Sequence, residues 1–286
     1  MYIGANSVAG AGGWHDLVPR VIGPSGIHAF FQPIVRLSDF CVEGFEALAR
    51  PAGHLRVPSV EGMFVAADEM GVGPDLDWSC RRAALREVGA LPDRSLLFLN
   101  VHTTALLNPV HDVDQMLLLM RFARWDPQRV VVEITERQPL RHRRRLAHVL
   151  QQYWEAGFRF ALDDVGEGYS TLDAAVLVSP DYLKIAGSVS RTVADDAAAR
   201  REVRRIMRLG DLVGARVIAE GIETHPQARC LEELGVCLGQ GYWLGRPSPA
   251  LTATARAAVR HARAVLTRGA QPEGPVEFQR MGRWVV

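Results

Sequence analysis

The chain has 286 residues, nearly half of them apolar (48%), and a formal net charge of +1. That length can bury a large core in one α/β barrel or two smaller domains, and the balanced charge gives no support to a nucleic-acid-coating or membrane-surface protein. Cys41, Cys80, Cys230 and Cys237 show no metal-binding spacing, no run approaches the roughly 18 apolar residues of a membrane span, and no signal peptide is recognisable, so a reduced, cytoplasmic protein is expected.

Residues 1–26 carry Gly4, Gly10, Gly12, Gly13, Pro19, Gly23, Pro24 and Gly26, which reads as a loose leader. HAFFQPIV is then a strand in which Pro33 suggests an edge or an irregular segment. CVEGFEALA follows after a connection of hairpin length, so these two strands are expected to be antiparallel. Residues 59–90 read as helical from Phe64, Ala67, Met70, Leu76, Cys80, Ala84 and Val88. Beyond them come the strand LLFLNV, a helix over 112–124, the strand RVVVEIT and a helix that ends at Gly157. The strand FRFALDD, a glycine-containing loop over 165–172 and the strand DYLKI follow. A helix over 194–213, the strand ARVIAEG, the helix HPQARCLEELG and a closing stretch at Val236–Tyr242 complete the series. Strands alternating with helices imply a parallel sheet, and this spacing predicts a TIM-like (β/α)8 barrel with an antiparallel first strand. The expected boundaries are a leader at 1–26, the barrel at 27–250, and a C-terminal helix and tail at 251–286.

The chemistry lies at the strand ends. Glu46, Asn100, Glu133, the pair Asp163 and Asp164, and Glu220 each follow a short apolar run, and Lys184 lies within DYLKI. In a (β/α)8 barrel the carboxyl ends of the strands converge, so these side chains would meet. Carboxylates and an amide offer only oxygen ligands, which suits Mg2+ or Mn2+ better than zinc. Adjacent aspartates let one carboxylate bridge two ions while the other serves one, the arrangement used for phosphoester hydrolysis. Taken singly, a strand-end glutamate is ordinarily a salt-bridge partner; the ordered set carries the reading. RHRRR at 141–145 and RREVRR at 200–205 read as solvated helix faces, without the aromatic interleaving of a nucleic-acid site. Trp125, Trp154 and Trp243 are expected to pack between barrel and helices, with Tyr242 bordering the site.

FFQPIV, EALAR, FLNVH, VVEITE, ALDDVGEGYSTL, PDYLKI, VIAEGIET and GQGYWLGRP, in this order, make the chain resemble an EAL domain, the cyclic di-GMP phosphodiesterase family, over about residues 27–250. The resemblance implies two Mg2+ or Mn2+ ions, one held by Glu46, Asn100, Glu133 and Asp163 and the other by Asp163, Asp164 and Glu220. Lys184, Glu46, Glu220 and Gln240 would form the catalytic set, with Lys184 positioning or deprotonating the attacking water. Gln32, Arg50 and Glu223 would contact substrate, Glu136 would steady the loop after the aspartates, and that loop, 165–172, would build a homodimer. The family's DDFGTGYSSL is changed here by Val165, Glu167 and Thr171. Its KID becomes Lys184-Ile185-Ala186, and His102 stands where serine is usual, as a wall residue or a substrate contact. The function implied is metal-dependent hydrolysis of cyclic di-GMP to linear pGpG by a stand-alone EAL protein, with no polymeric nucleic acid or membrane as partner. The alternatives are a cyclic di-GMP receptor without turnover and a protein-interaction module.

Overall fold

The computed structural model describes residues 11–92, 95–135, 142–167 and 171–249. Helix α1 (Ala11–Ile22) leads into strand β1 (Ile27–Arg36), which turns into β2 (Val42–Pro51). Helices α2 (Val60–Glu69) and α3 (Gly73–Glu87) precede β3 (Leu96–Asn100). Then come α4 (Thr103–Leu106), α5 (Val113–Ala123), β4 (Val130–Thr135), α6 (Arg143–Glu155), β5 (Arg159–Val165), α7 (Thr171–Val178) and β6 (Tyr182–Ile185). The chain continues through α8 (Gly187–Thr192), α9 (Ala197–Val213), β7 (Arg216–Ala219), α10 (His225–Glu233) and β8 (Leu238–Gly239). The strands close into a barrel in sequence order. β1 runs antiparallel to both β2 and β8, and every other pair is parallel.

Several local expectations change. Residues 11–22 are helical, not loose: Val18 and Val21 are fully buried, and Trp14 lies over Gly62, where a Cβ would sit 3.0 Å from its ring. The helix expected over 59–90 is two helices, broken where Gly71 takes φ +74 and Pro74 starts α3. Helices α7 and α8 lie largely in stretches for which the sequence pattern predicts no element. Of the two expectations for Pro33, the edge does not hold in a closed barrel, and the irregular segment does, with a register shift between Ile34 and Val35. The Phe31 N–H bonds to Ser248 O, β8 pairs only with Val35 and Arg36, and Pro33 falls between, where no ladder bond is lost. Trp154 is 65% exposed rather than packed, whereas Trp125 is buried and Trp243 packs edge-on against Phe40. The arginines at 143–145 and Arg201, Arg204 and Arg205 are exposed, as expected of solvated faces. Among the described residues no helix is long and apolar enough to cross a membrane.

Side chains alternate along a strand, and this positions the site. Ile34, Leu96, Phe98, Val131, Ala161, Tyr182, Ile218 and Leu238 pack together as one buried cluster, drawn from seven of the eight strands. A second, larger cluster, with Leu97, Leu99, Val132, Leu162 and Leu183, lies beneath the helices. The small cluster therefore fills the barrel lumen. Two residues beyond a lumen residue the chain again faces inward, but at the barrel mouth. Phe98 leads to Asn100, Val131 to Glu133, Ala161 to Asp163, Tyr182 to Lys184, Ile218 to Glu220 and Leu238 to Gln240. On the reversed β1 the order inverts, and Gln32 precedes Ile34.

Candidate active site

The mouth is organised around Lys184, which is fully buried. Its Nζ lies 2.7 Å from Glu133, 2.8 Å from Glu220, 3.4 Å from Asp163 and 3.6 Å from Glu46. Burial disfavours the ammonium, but four carboxylates outweigh it and hold the lysine pKa well above its ordinary value. Glu46 is buried too, yet Lys184 and hydrogen bonds from Gln240 and Asn100 more than offset desolvation and hold its pKa below the usual carboxylate range. For Glu133 burial wins, and its pKa rises well above that range. Burial and the neighbouring Asp163 carboxylate push Glu220 up to about 8. One lysine cannot neutralise this many acids, and burial pushes Glu133 and Glu220 toward their protonated forms.

Hydrogen bonds fix the Glu46 carboxylate at both oxygens. Asn100 Nδ2 donates to Oε1 at 2.6 Å, and Gln240 Nε2 donates to Oε2 at 2.7 Å. Gln240 also lies 3.2 Å from Gln32 Oε1, and Gln32 Nε2 donates to Gly245 O at 3.0 Å. Gln32 and Gln240 thus tie β1 and the segment after β8 to Glu46.

Adjacent aspartates on a regular strand would face opposite sides. Between Leu162 and Val165, however, β5 spends one more residue than β6, and Asp164 takes φ +57. This bulge uses a left-handed conformation that aspartate tolerates better than most residues. It lets Asp163, Asp164 and Glu220 bring carboxylate oxygens within 4.8 Å of one another. An all-oxygen cluster of this kind fits hard divalent cations.

Two clefts flank these residues. One, of about 280 Å3, is lined by Leu48, Arg50, Asn100, His102 and Glu133 among others. Arg50 donates to Ala49 O and lies 5.6 Å from the Phe30 ring. The other, of about 370 Å3, reaches Gln32, Glu46, Asp164, Glu220, Glu223 and Gln240. Every candidate site residue among those described therefore borders the mouth or its clefts; Glu136 lies outside the described residues, as does the tail from 251. His102 is a wall and capping residue, its ring Nδ1 2.6 Å from Thr104 Oγ1 at the start of α4. Val165 is fully buried, Ala186 starts α8 without a side-chain cap, and Glu167 accepts a hydrogen bond from Ser188.

Sequence reading missed the buried pair Asp77 and Arg81, 2.6 Å apart on α3. Asp77 Oδ2 accepts from His102 N at 2.8 Å and so anchors the loop just after Asn100. Asp77→Ala would strand a buried guanidinium, and is expected to cost about 3–5 kcal/mol of stability, read as a lowered denaturant midpoint. An unchanged midpoint would remove the pair from the account of this loop.

The EAL domain family model matches residues 21–247. The chain belongs to the EAL domain family. This EAL domain is 30% identical over 240 residues to the probable cyclic di-GMP phosphodiesterase PdeG of Escherichia coli K12, covering 81% of this chain and 46% of PdeG. The chain thus spans about half the length of that relative, and about a third of an Azorhizobium caulinodans relative at 33%. Among solved structures, the PaMucR phosphodiesterase in complex with c-di-GMP superposes with a TM-score of 0.70 at 26% identity, over 79% of this chain and 98% of that one. The manganese and cyclic di-GMP complex of Klebsiella pneumoniae BlrP1 gives 0.70 at 28%, over 78% and 56%. The family's solved domains include forms with manganese or calcium.

Proposed function

We propose that this EAL domain hydrolyses one phosphodiester of cyclic di-GMP, giving linear pGpG, in the cytoplasm. The observation that carries the reading is the convergence of Glu46, Asn100, Glu133, Asp163, Asp164 and Glu220 around a buried Lys184. Two Mg2+ or Mn2+ ions, one held by Glu46, Asn100, Glu133 and Asp163 and the other by Asp163, Asp164 and Glu220, would acidify a water and offset the charge of the reacting phosphate. Lys184, held as an ammonium by these carboxylates, would position the attacking water by donating to it, and could take up that water's proton only after passing one of its own on. Gln240 and Asn100 hold both Glu46 oxygens, so that carboxylate does not rotate as charge builds up. Arg50, Gln32 and Glu223 border the clefts that would receive the two nucleotide halves. The test is incubation with cyclic di-GMP and Mg2+ or Mn2+, following pGpG by chromatography. Product that disappears with chelator supports the enzyme; tight binding without product moves the assignment to a receptor.

The raised pKa values set the direction of a pH effect. Below about 8, Glu220 carries a proton in the metal-free protein that a cation must displace. Cation affinity should therefore fall with decreasing pH, by about tenfold per unit for each proton displaced. Calorimetry of Mn2+ binding near pH 7 in buffers of different ionisation enthalpy should show proton release, with Glu220 contributing about one proton. Affinity that is flat from pH 6.5 to 8.5 would contradict it.

A homodimer through the 165–172 region is also proposed. Its support is α7, where Leu172 is 53% and Val176 66% exposed. Leu172→Glu combined with Val176→Glu should shift the sedimenting species to monomer; a variant that sediments like wild type places the contact elsewhere.

A further inference from the structure

The larger cleft contains a cation that none of these roles uses. Its lining includes the carboxylates of Glu46, Asp164, Glu167, Glu220 and Glu223, and Arg191 is the only basic residue among them. Despite these neighbours, Arg191 makes no ion pair among the described residues. Its position is set by the backbone. Arg191 O accepts from Gln227 Nε2 at 2.8 Å, which ties α8 to α10. The guanidinium lies where the loops after β6 and β7 meet, against two glycines. A Cβ on Gly187 would be 2.9 Å from Nη1, and one on Gly221 3.1 Å from it. Gly221 also takes φ +65, a conformation that favours glycine. The Tyr242 ring, half exposed, borders the same cleft.

Resting on the cyclic di-GMP reading, we propose that Arg191 recognises one guanine of the substrate, donating to O6 and N7 while Glu223 and Glu167 accept from N1–H and the 2-amino group. A guanidinium is the side chain that matches these two acceptors in a bidentate way, and adenine replaces one of them with a donor. The alternative target for an arginine is a phosphate. With Glu46, Asp164 and Glu220 assigned to the cations, Glu167 and Glu223 are the lining carboxylates left beside Arg191, and they disfavour a phosphate there while accepting from the donor edge of an uncharged guanine. The cleft therefore favours the base.

Binding of cyclic di-GMP and of cyclic di-AMP to the full chain, measured by calorimetry with calcium present, tests this in wild type, Arg191→Ala and Arg191→Lys. Arg191→Ala should weaken cyclic di-GMP about 5- to 150-fold and leave cyclic di-AMP unchanged, so that discrimination narrows by the same factor. Arg191→Lys keeps the charge without the fork and should not restore it. An equal loss for both nucleotides assigns Arg191 to phosphate and overturns the proposal, and so does no loss. Wild-type turnover of cyclic di-GMP alongside either result would sink this inference alone. A wild type that neither binds nor hydrolyses cyclic di-GMP would remove the reading of the site and the proposal together.

Discussion

Lys184→Ala is expected to lower cyclic di-GMP turnover by about 10²–10⁴-fold, the range for loss of a positioned proton-transfer group. It should also make the stability of the domain depend on divalent cations. In the metal-free protein Lys184 is the one cation inside a ring of Glu46, Glu133, Asp163 and Glu220. Removing one partner of a buried ionic cluster costs about 3–5 kcal/mol, because the remaining charges stay desolvated. Extra protons on the carboxylates recover part of that cost. Cations recover more: a ligand at a thousand times its Kd stabilises the folded state by about 4 kcal/mol. Thermal melts should therefore show a large drop for Lys184→Ala in chelator and a larger rescue by Mn2+ than in wild type. Equal melting temperatures in chelator would mean that the lysine does not balance these acids. Wild-type turnover would end its assignment to the reaction.

The barrel was legible because its strands are short apolar runs with a polar residue at the end, and because alternation carries that residue inward. Asn100, Glu133, Asp163, Lys184 and Glu220 obey this rule without exception, each two residues past a lumen side chain. Asp164 does not. Nothing in Leu162-Asp163-Asp164-Val165 announces an added residue in the register, so on residue spacing alone Asp164 faces the helices. Its place at the mouth depends on the tertiary pairing of β5 with β6. Helix α1 was hidden for the opposite reason. Trp14, Val18 and Val21 have helical spacing, but the surrounding glycines and Pro19 outweighed it, and burial against α2 and α3 compensates for weak propensity. Within 59–90 the apolar period runs on across Gly71 and Gly73-Pro74, so periodicity concealed a break that the punctuation marked. Arg191 offered no signal at all. An exposed arginine in a short helix is ordinary until Gly187 and Gly221, 34 positions apart, are seen beneath its head group.

Glu46→Gln separates chemistry from architecture more cleanly than a truncation. The amide keeps the shape, so the hydrogen bond from Asn100 or that from Gln240 can be retained, and the interior stays filled. What disappears is the one carboxylate here whose pKa is held below the usual range, and so is fully ionised at neutral pH. Burial pushes Glu133 and Glu220 toward the protonated form, which a cation must displace, whereas Glu46 is ready. Outer partners of a metal site typically cost 10–100-fold when removed, so loss of a proposed direct ligand should lower turnover by at least about a hundredfold. Folding should respond in the opposite sense. One fewer negative charge near Glu133 and Glu220 relieves repulsion, so the metal-free variant should melt at or near the wild-type temperature. Melting curves in chelator and turnover in saturating Mn2+ give the two readouts. An active Glu46→Gln would exclude this residue from the ligand set, and an inactive but unfolded one would show that its charge supports the barrel mouth rather than the reaction.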